Sequence, residues 1–207
     1  MAVFETLTLV ILFFVISLLF LNTFLHGRVS QSMTHLRLPD WYHSYKGEVP
    51  GSITNWLGDW FIGAMWTIIF VLVTVSVYLF YKSAFDTIGA GAEIDAFTLL
   101  LFFNVIFNKN WYSVFFDMGS PGWAMLLLVL TFLTAIGMLV ILGIESKWLE
   151  FGLFIIYPLW LVYAGYLNAV WWYLFKKYDI YRQVNDDGYN ATTKKGIRGN
   201  KRRGANV

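Results

Sequence analysis

The stretch Phe154–Tyr173, FIIYPLWLVYAGYLNAVWWY, decides the fold, because it is long and apolar enough to cross a bilayer. On a helix that turns about 100° per residue, one face of this stretch is aromatic and polar instead of aliphatic. A lipid-facing surface would carry Leu, Ile and Val, so we expect this face to be turned toward protein or a ligand. The residues within its arc of roughly 80° are Tyr157, Trp160, Ala164, Asn168 and Trp171.

The composition of the whole chain indicates an integral membrane protein. Of 207 residues, 58% are hydrophobic and 14% are charged, and 10 are Trp, which is too apolar for a soluble domain of this size. The chain has no Cys, so disulfides, thiolate metal sites and thiol catalysis are excluded. Three histidines lack the spacing of zinc ligands, and we interpret them as loop or interface residues. They are His26, His35 and His43.

The hydropathy pattern predicts five membrane-spanning helices. A β-barrel is excluded, because its strands would alternate apolar and polar residues. Before the first predicted span, Glu5 is the only charge and no small-residue cleavage site follows, so we expect this helix to be retained and not removed as a signal peptide. The predicted spans are 6–24, 60–81, 96–116, 122–144 and 151–175.

These spans predict one domain, an all-α five-helix membrane bundle over residues 1–175, followed by a basic, disordered tail over residues 176–207. Thirteen of the fifteen Lys and Arg residues lie on the side of the first loop and the tail, whereas the other side has Lys82 and Lys147 only. Because Lys and Arg are enriched in cytosolic segments, we predict a cytosolic tail and an N-terminus outside. The bacterial inner membrane and mitochondrial or other organelle membranes both stay open.

The third span carries a second polar face. Asn104, Asn108, Trp111 and Phe115 share an arc of roughly 60°, while Lys109 projects away from it near the cytosolic end and can snorkel. Amides are costly against lipid, so we expect this face to point inward. Two interpretations stay open: the amides hold the bundle together by interhelical hydrogen bonds, or they anchor a ligand in an aromatic cavity.

Trp66 in the second span is, taken alone, a packing residue or an interface anchor. Together with Trp111 and Trp160 it predicts one pocket with an indole from each of three helices, which suits a large flat ligand. The spans contain no Ser-His-Asp order, no HExxH, no phosphate loop and no paired carboxylates. We therefore predict no catalytic residues and no metal site.

These residues resemble the translocator proteins, also called tryptophan-rich sensory proteins or peripheral-type benzodiazepine receptors (TspO/MBR). The resemblance runs in order over residues 8–175. One departure is that Ile156 stands where the family has Pro, and Pro158 follows two residues later, which we expect to move the kink or the ends of the fifth helix. The matching motifs are Trp41-Tyr42 with Lys46 and Pro50, Trp66-Thr67-Ile68-Ile69-Phe70, Asn104 with Asn108, Trp111, Phe115 and Phe116, Pro121-Gly122 with Ala124, and Tyr157 with Trp160, Ala164, Leu167 and Asn168.

The resemblance implies a five-helix bundle, often a homodimer, with a pocket that the first loop closes. It implies a receptor or carrier that binds protoporphyrin or haem as ligand without a required cofactor, and in animals also sterols. A weak sterol motif can be traced through Leu167, Tyr173 and Lys176. The implied ligand-binding residues are Trp41, Lys46, Trp66, Asn104, Asn108, Trp111, Phe115, Tyr157, Trp160, Ala164, Leu167 and Asn168.

Two other functions stay open at this point. The first is a membrane enzyme that degrades porphyrin by light or oxidant chemistry through indole radicals, although the sequence supplies no positioned acid or base. The second is an interaction protein whose basic tail recruits anionic lipid or a protein partner. The expected partners are the lipid bilayer, a tetrapyrrole or sterol, and a second copy of the chain, but not nucleic acid.

Overall fold

The computed structural model describes residues 40–58, 60–85 and 91–181. Within these ranges the chain is helical and contains no strand. The predicted first span, 6–24, and the tail beyond residue 181 lie outside the described residues. The helices are α1 (Asp40–Tyr45), α2 (Thr54–Leu57), α3 (Trp60–Phe85), α4 (Gly91–Tyr112), α5 (Pro121–Ile144), α6 (Trp148–Phe154) and α7 (Ile156–Lys177), with a 3-10 turn at Lys46–Glu48 and a π-helical turn at Ser113–Asp117.

Three helical segments of the described chain are long and apolar enough to cross a membrane. They are Trp60–Ser83, Pro121–Ile144 and Trp148–Lys177, and they correspond to the second, fourth and fifth predicted spans. The predicted third span, α4, is not among them; its second half carries three Asn and one Lys. The all-helical, apolar architecture is therefore confirmed for the described residues, whereas the count of five spans stays a prediction.

The fifth predicted span is broken near its start. α6 ends at Phe154 and α7 begins at Ile156, two residues before Pro158. Proline has no N–H to donate to the carbonyl four residues earlier, and its ring crowds that carbonyl, so the helix cannot continue undisturbed. The next backbone bond, from Leu159 N to Ile155 O, is 3.3 Å long. The break lies next to Pro158, and a shift of the kink relative to the family stays a prediction.

The packed structure continues past residue 175, where the membrane domain was predicted to end. α7 runs to Lys177, and Ile180 after it is fully buried. Tyr178 stacks on Tyr45 at 4.8 Å between ring centroids, so the turn after α7 is attached to the end of α1. Residues 176–181 are therefore packed on the helices, and the bounds of the membrane domain and the basic tail stay a prediction.

α5 is the central helix, with α4 packed on one side and α7 on the other. The contact with α4 is close: a Cβ atom added to Gly137 would lie 2.9 Å from Cδ1 of Leu100, so a larger residue there would require the Leu100 side chain to move. α3 packs mainly against α6. Ser76 Oγ of α3 donates a hydrogen bond of 2.8 Å to Glu150 O in α6. The buried residues of α5 recur every three or four positions and are Pro121, Ala124, Leu128, Thr131, Ala135, Met138 and Leu142.

Candidate functional site

The aromatic and polar face of α7 is turned into the protein, as the sequence predicts. Tyr157 is 2% exposed and Asn168 is 1% exposed. On the outer side of the same helix, Leu159 and Val162 are more than half exposed, as lipid-facing aliphatic residues would be. The remaining predicted members of the inner face, Trp160, Ala164 and Trp171, are also buried.

Three indoles from three helices meet beside this face, and we call Trp66, Trp111 and Trp160 the indole cluster. The ring of Trp66 lies 6.5 Å from that of Trp111 and 6.1 Å from that of Trp160, measured between centroids. The planes of Trp66 and Trp160 are perpendicular, at 88°. Trp66 also contacts the ring of Tyr157 at 6.4 Å. The predicted convergence of the three indoles is therefore observed, with Trp66 in contact with both of the others.

A hydrogen-bond network connects α4, α5 and α7 next to the indole cluster. The hydroxyl of Tyr157 donates to Asn104 Oδ1 and accepts from Asn108 Nδ2, both at 2.9 Å. Asn104 Nδ2 in turn donates to Thr131 O at 2.8 Å and to Thr134 Oγ1 at 2.9 Å. Asn104 is 5% exposed, so these bonds satisfy an amide that would otherwise be costly to bury. Holding the bundle together is therefore sufficient to explain Asn104, whereas Asn108 is only half-buried.

We expect Tyr157→Phe to lower the free energy of unfolding by about 1–3 kcal/mol, because it removes two interhelical hydrogen bonds of a membrane protein. The measurement is thermal unfolding in detergent followed by circular dichroism. Tyr173→Phe is the matched control, since Tyr173 lies on the same helix and is 62% exposed. Equal melting temperatures for the two variants would show that the network contributes nothing to stability.

A second network fixes the position of Trp111. Its Nε1 donates to Asn168 Oδ1 at 3.1 Å, and Asn168 Nδ2 donates to Pro121 O at 2.8 Å. Asn168 thereby links α4, α5 and α7. Because both ends of its amide are engaged inside the protein, Asn168 acts here as the residue that positions the indole of Trp111.

Two predicted site residues, Trp41 and Phe115, lie in a second group of rings. We call this group the cap cluster; it consists of Trp41, Tyr42, Phe115, Trp171 and Phe175. Trp41 of α1 is 8% exposed and contacts Trp171 at 5.2 Å, Phe175 at 4.8 Å and Phe115 at 5.9 Å. Tyr42 stacks on Trp171 at 5.1 Å. α1 therefore packs over the ends of α4 and α7, and Trp111, which stacks on Phe115 at 5.6 Å, connects the cap cluster to the indole cluster.

The other predicted site residues lie at different places around these clusters. Ala164 is 7% exposed and belongs to the same core as Trp160. Lys46 lies in the 3-10 turn after α1 and is half-buried. Leu167 packs against the cap cluster. Ala164 thus shares a core with Trp160 and Trp66, whereas Leu167 packs against the same core as Trp111.

The residues of the sterol motif do not share one surface. Leu167 faces the cap cluster, whereas Tyr173 is 62% exposed on the outside of α7. Lys176 is about 180° from Leu167 around the helix, and its Nζ lies 4.6 Å from the ring centroid of Trp172. The three residues of the motif therefore lie on different sides of α7. Sterol binding stays a prediction.

Two tyrosines that the sequence did not single out fasten the loop before α3. We call residues 50–57 the lid. The Tyr163 hydroxyl accepts a bond from Ile53 N at 2.9 Å and donates to Gly51 O at 3.4 Å, and the Tyr166 hydroxyl donates to Pro50 O at 2.8 Å. Tyr163 also contacts the ring of Trp160 at 5.3 Å. The lid is thus attached directly beside the indole cluster, by partners more than 100 residues away in the sequence.

A groove-like cavity of about 430 Å³, largely open to the surface, lies near the start of α5 and the end of α7, away from the predicted site residues. Gly122 lies at its wall, where an added Cβ would meet the Trp172 ring at 3.4 Å. No group of three His, Asp or Glu side chains that would hold a metal ion occurs in the part of the chain described above. The residues lining the cavity are Ser120, Gly122, Trp123, Leu126, Trp172 and Tyr181.

Comparison with protein families gives one finding. A model of the TspO/MBR family matches residues 9–174, which include the indole cluster, most of the predicted first span and all but the end of the cap cluster. Comparisons with curated proteins and with solved structures give no match.

Proposed function

The chain belongs to the TspO/MBR family, a family of membrane proteins, and on this premise we propose that it is a receptor or carrier that binds tetrapyrroles at the indole cluster. The observation that carries the proposal is the contact of Trp66 with both Trp111 and Trp160, each from a different helix. Aromatic walls with a small number of neutral polar groups are the usual environment of large planar ligands.

The contacts around the cluster suggest how such a ligand is held. Trp111 is fixed by Asn168 and forms a rigid wall. Asn108, half-buried beside Tyr157, supplies an amide to a polar edge of the ligand, and Ala164 leaves space next to Trp160. The propionates of a porphyrin need a cation or water, and Lys46 in the turn before the lid is the basic residue that we assign to them.

The proposal is tested by titrating the purified protein with protoporphyrin and following the quenching of Trp fluorescence. We expect saturable binding, and we expect Trp160→Ala to weaken it about tenfold, because the variant removes one aromatic wall. Trp148→Ala is the control, since Trp148 is 66% exposed and packs against Phe151 outside the cluster. Unchanged affinity in Trp160→Ala, or the same loss in both variants, would place the ligand elsewhere.

The lid gives a kinetic prediction. We expect the double variant Tyr163→Phe, Tyr166→Phe to raise both the association and the dissociation rate of protoporphyrin about fivefold. The variant loses the hydrogen bonds that attach the lid. If these bonds are together worth about 1 kcal/mol, the free-energy cost of opening the lid falls by the same amount. Stopped-flow fluorescence measures both rates. Tyr173→Phe is the control on the same helix, and rates that are identical in all three proteins would show that the lid does not limit ligand entry.

A further inference from the structure

Trp160 carries a buried donor that lacks an acceptor. The side chain is 9% exposed, and its Nε1 has no hydrogen-bond partner among the described residues. The indole of Trp111 in the same cluster differs, because its Nε1 donates to Asn168. Buried polar groups in native proteins are nearly always paired, and one that is not needs an explanation such as an absent ligand.

The orphaned group lies where a ligand of the proposed kind would sit. Trp160 contacts Trp66 on one side and Tyr163 on the other, and Tyr163 binds the lid through Ile53 N. Opening of the lid would therefore uncover the region around the Trp160 ring first. An acceptor placed about 2.7–3.2 Å from Nε1 would pair the donor at the moment when the ligand excludes water from the cluster.

The side chains around this position decide which kind of acceptor is suitable. Trp66, Tyr163, Tyr157 and Asn108, which surround or adjoin the indole cluster, are all uncharged. A carboxylate brought here would lose its hydration and gain one N–H in return, and a buried charge without a counter-charge is strongly unfavourable. A neutral carbonyl oxygen loses much less hydration and needs only one donor.

We propose, resting on the tetrapyrrole function above, that Trp160 Nε1 donates a hydrogen bond to a neutral carbonyl oxygen at the edge of the bound ring system. The preferred ligands are thus tetrapyrroles that carry a ketone, formyl or lactam group at this edge, with any carboxylates turned away from Trp160. Trp160 is then a residue that selects among ligands, in addition to being a wall of the site.

Two probes that differ by a single carbonyl test this directly. Octaethylporphyrin has no acceptor at its periphery, and oxo-octaethylchlorin differs from it by one peripheral ketone oxygen, with one ethyl group moved to the neighbouring ring carbon. We expect the wild-type protein to prefer the ketone about tenfold, and Trp160→Phe to reduce this ratio to about one, because Phe keeps an aromatic ring and removes the N–H. The ratio is measured by fluorescence titration of both probes with both proteins.

Thermal unfolding of the ligand-free variants gives an independent readout. We expect Trp160→Phe to melt at a higher temperature than Trp111→Phe, since both variants remove the same part of an indole ring but only Trp111→Phe leaves an acceptor, Asn168 Oδ1, without its partner. A lower melting temperature for Trp160→Phe than for Trp111→Phe would show that the Trp160 N–H is already paired and would overturn the inference.

The titration separates failure of the inference from failure of the proposed function. Equal affinity of wild type for the two probes, or an unchanged ratio in Trp160→Phe, overturns the hydrogen bond while leaving tetrapyrrole binding in place. If neither probe nor protoporphyrin binds, the proposed function and the inference fail together.

Discussion

Trp171→Ala is expected to lower the free energy of unfolding by about 3–5 kcal/mol, the range for removing a large buried aromatic side chain. Trp171 is 5% exposed and lies in the middle of the cap cluster. It contacts Trp41 at 5.2 Å and stacks on Tyr42 at 5.1 Å. The substitution therefore removes the surface on which α1 packs, and we expect α1 to detach before the helices of the bundle separate.

Two measurements check this. Thermal unfolding in detergent gives the loss of stability, and limited trypsin digestion at Lys46, in the turn directly after α1, reports detachment of that segment. Trp123→Ala is the control, because Trp123 is 67% exposed at the start of α5. If Trp171→Ala and Trp123→Ala melt together and are cleaved at the same rate, the cap cluster does not hold α1.

Trp66→Ala is expected to weaken protoporphyrin binding about 100-fold, equivalent to about 2.7 kcal/mol. Trp66 has the largest expected effect of the three indoles because it contacts Trp111, Trp160 and Tyr157. Its loss removes one wall and also the ring that keeps the other two in place, so the site loses both contact area and preorganisation.

The same helix supplies a control for this variant. Trp60 begins α3 and is 69% exposed, so Trp60→Ala removes an indole of equal size from outside the cluster. Binding is followed by absorbance changes of the porphyrin, which do not depend on the number of Trp residues left, and circular dichroism confirms that both variants are folded. Equal affinities of the two variants would rule out the indole cluster as the site.

The inner faces of α4 and α7 were predictable from the sequence because a helix converts spacing directly into direction. Asn104 and Asn168 fall on faces that also carry large aromatics, and both are buried. An amide in an apolar span has few favourable alternatives to facing inward. The same reasoning predicts that Lys109 points outward, and it is exposed.

The resemblance led us to expect the first loop over the pocket, but helical spacing does not predict which residues attach this loop. Tyr163 and Tyr166 look like ordinary aromatic residues of a membrane helix, and their partners near Gly51 and Ile53 are more than 100 positions earlier. Such contacts depend on the path of the loop, which has no periodicity. The sequence also does not show that Nε1 of Trp160 lacks a partner, because the groups that lie near a side chain depend on the fold.

The sterol motif is the opposite case, because the spacing of its residues in the sequence already determines their relative directions on a helix. Leu167 and Lys176 are nine residues apart, which places them on opposite sides of a helix. The same rotation of about 100° per residue that we applied to the rest of α7 therefore places these two residues on opposite faces, as the structure does. A motif defined by spacing ranges carries less information than the angle between its members.

The most direct test of tetrapyrrole binding at the indole cluster is a structure of the protein in a membrane mimetic with protoporphyrin bound. We expect the porphyrin ring to contact Trp66, Trp111 and Trp160, with its propionates toward Lys46. A porphyrin found instead in the cavity between Trp123 and Trp172, with the three indoles still in contact with one another, would contradict the proposed site.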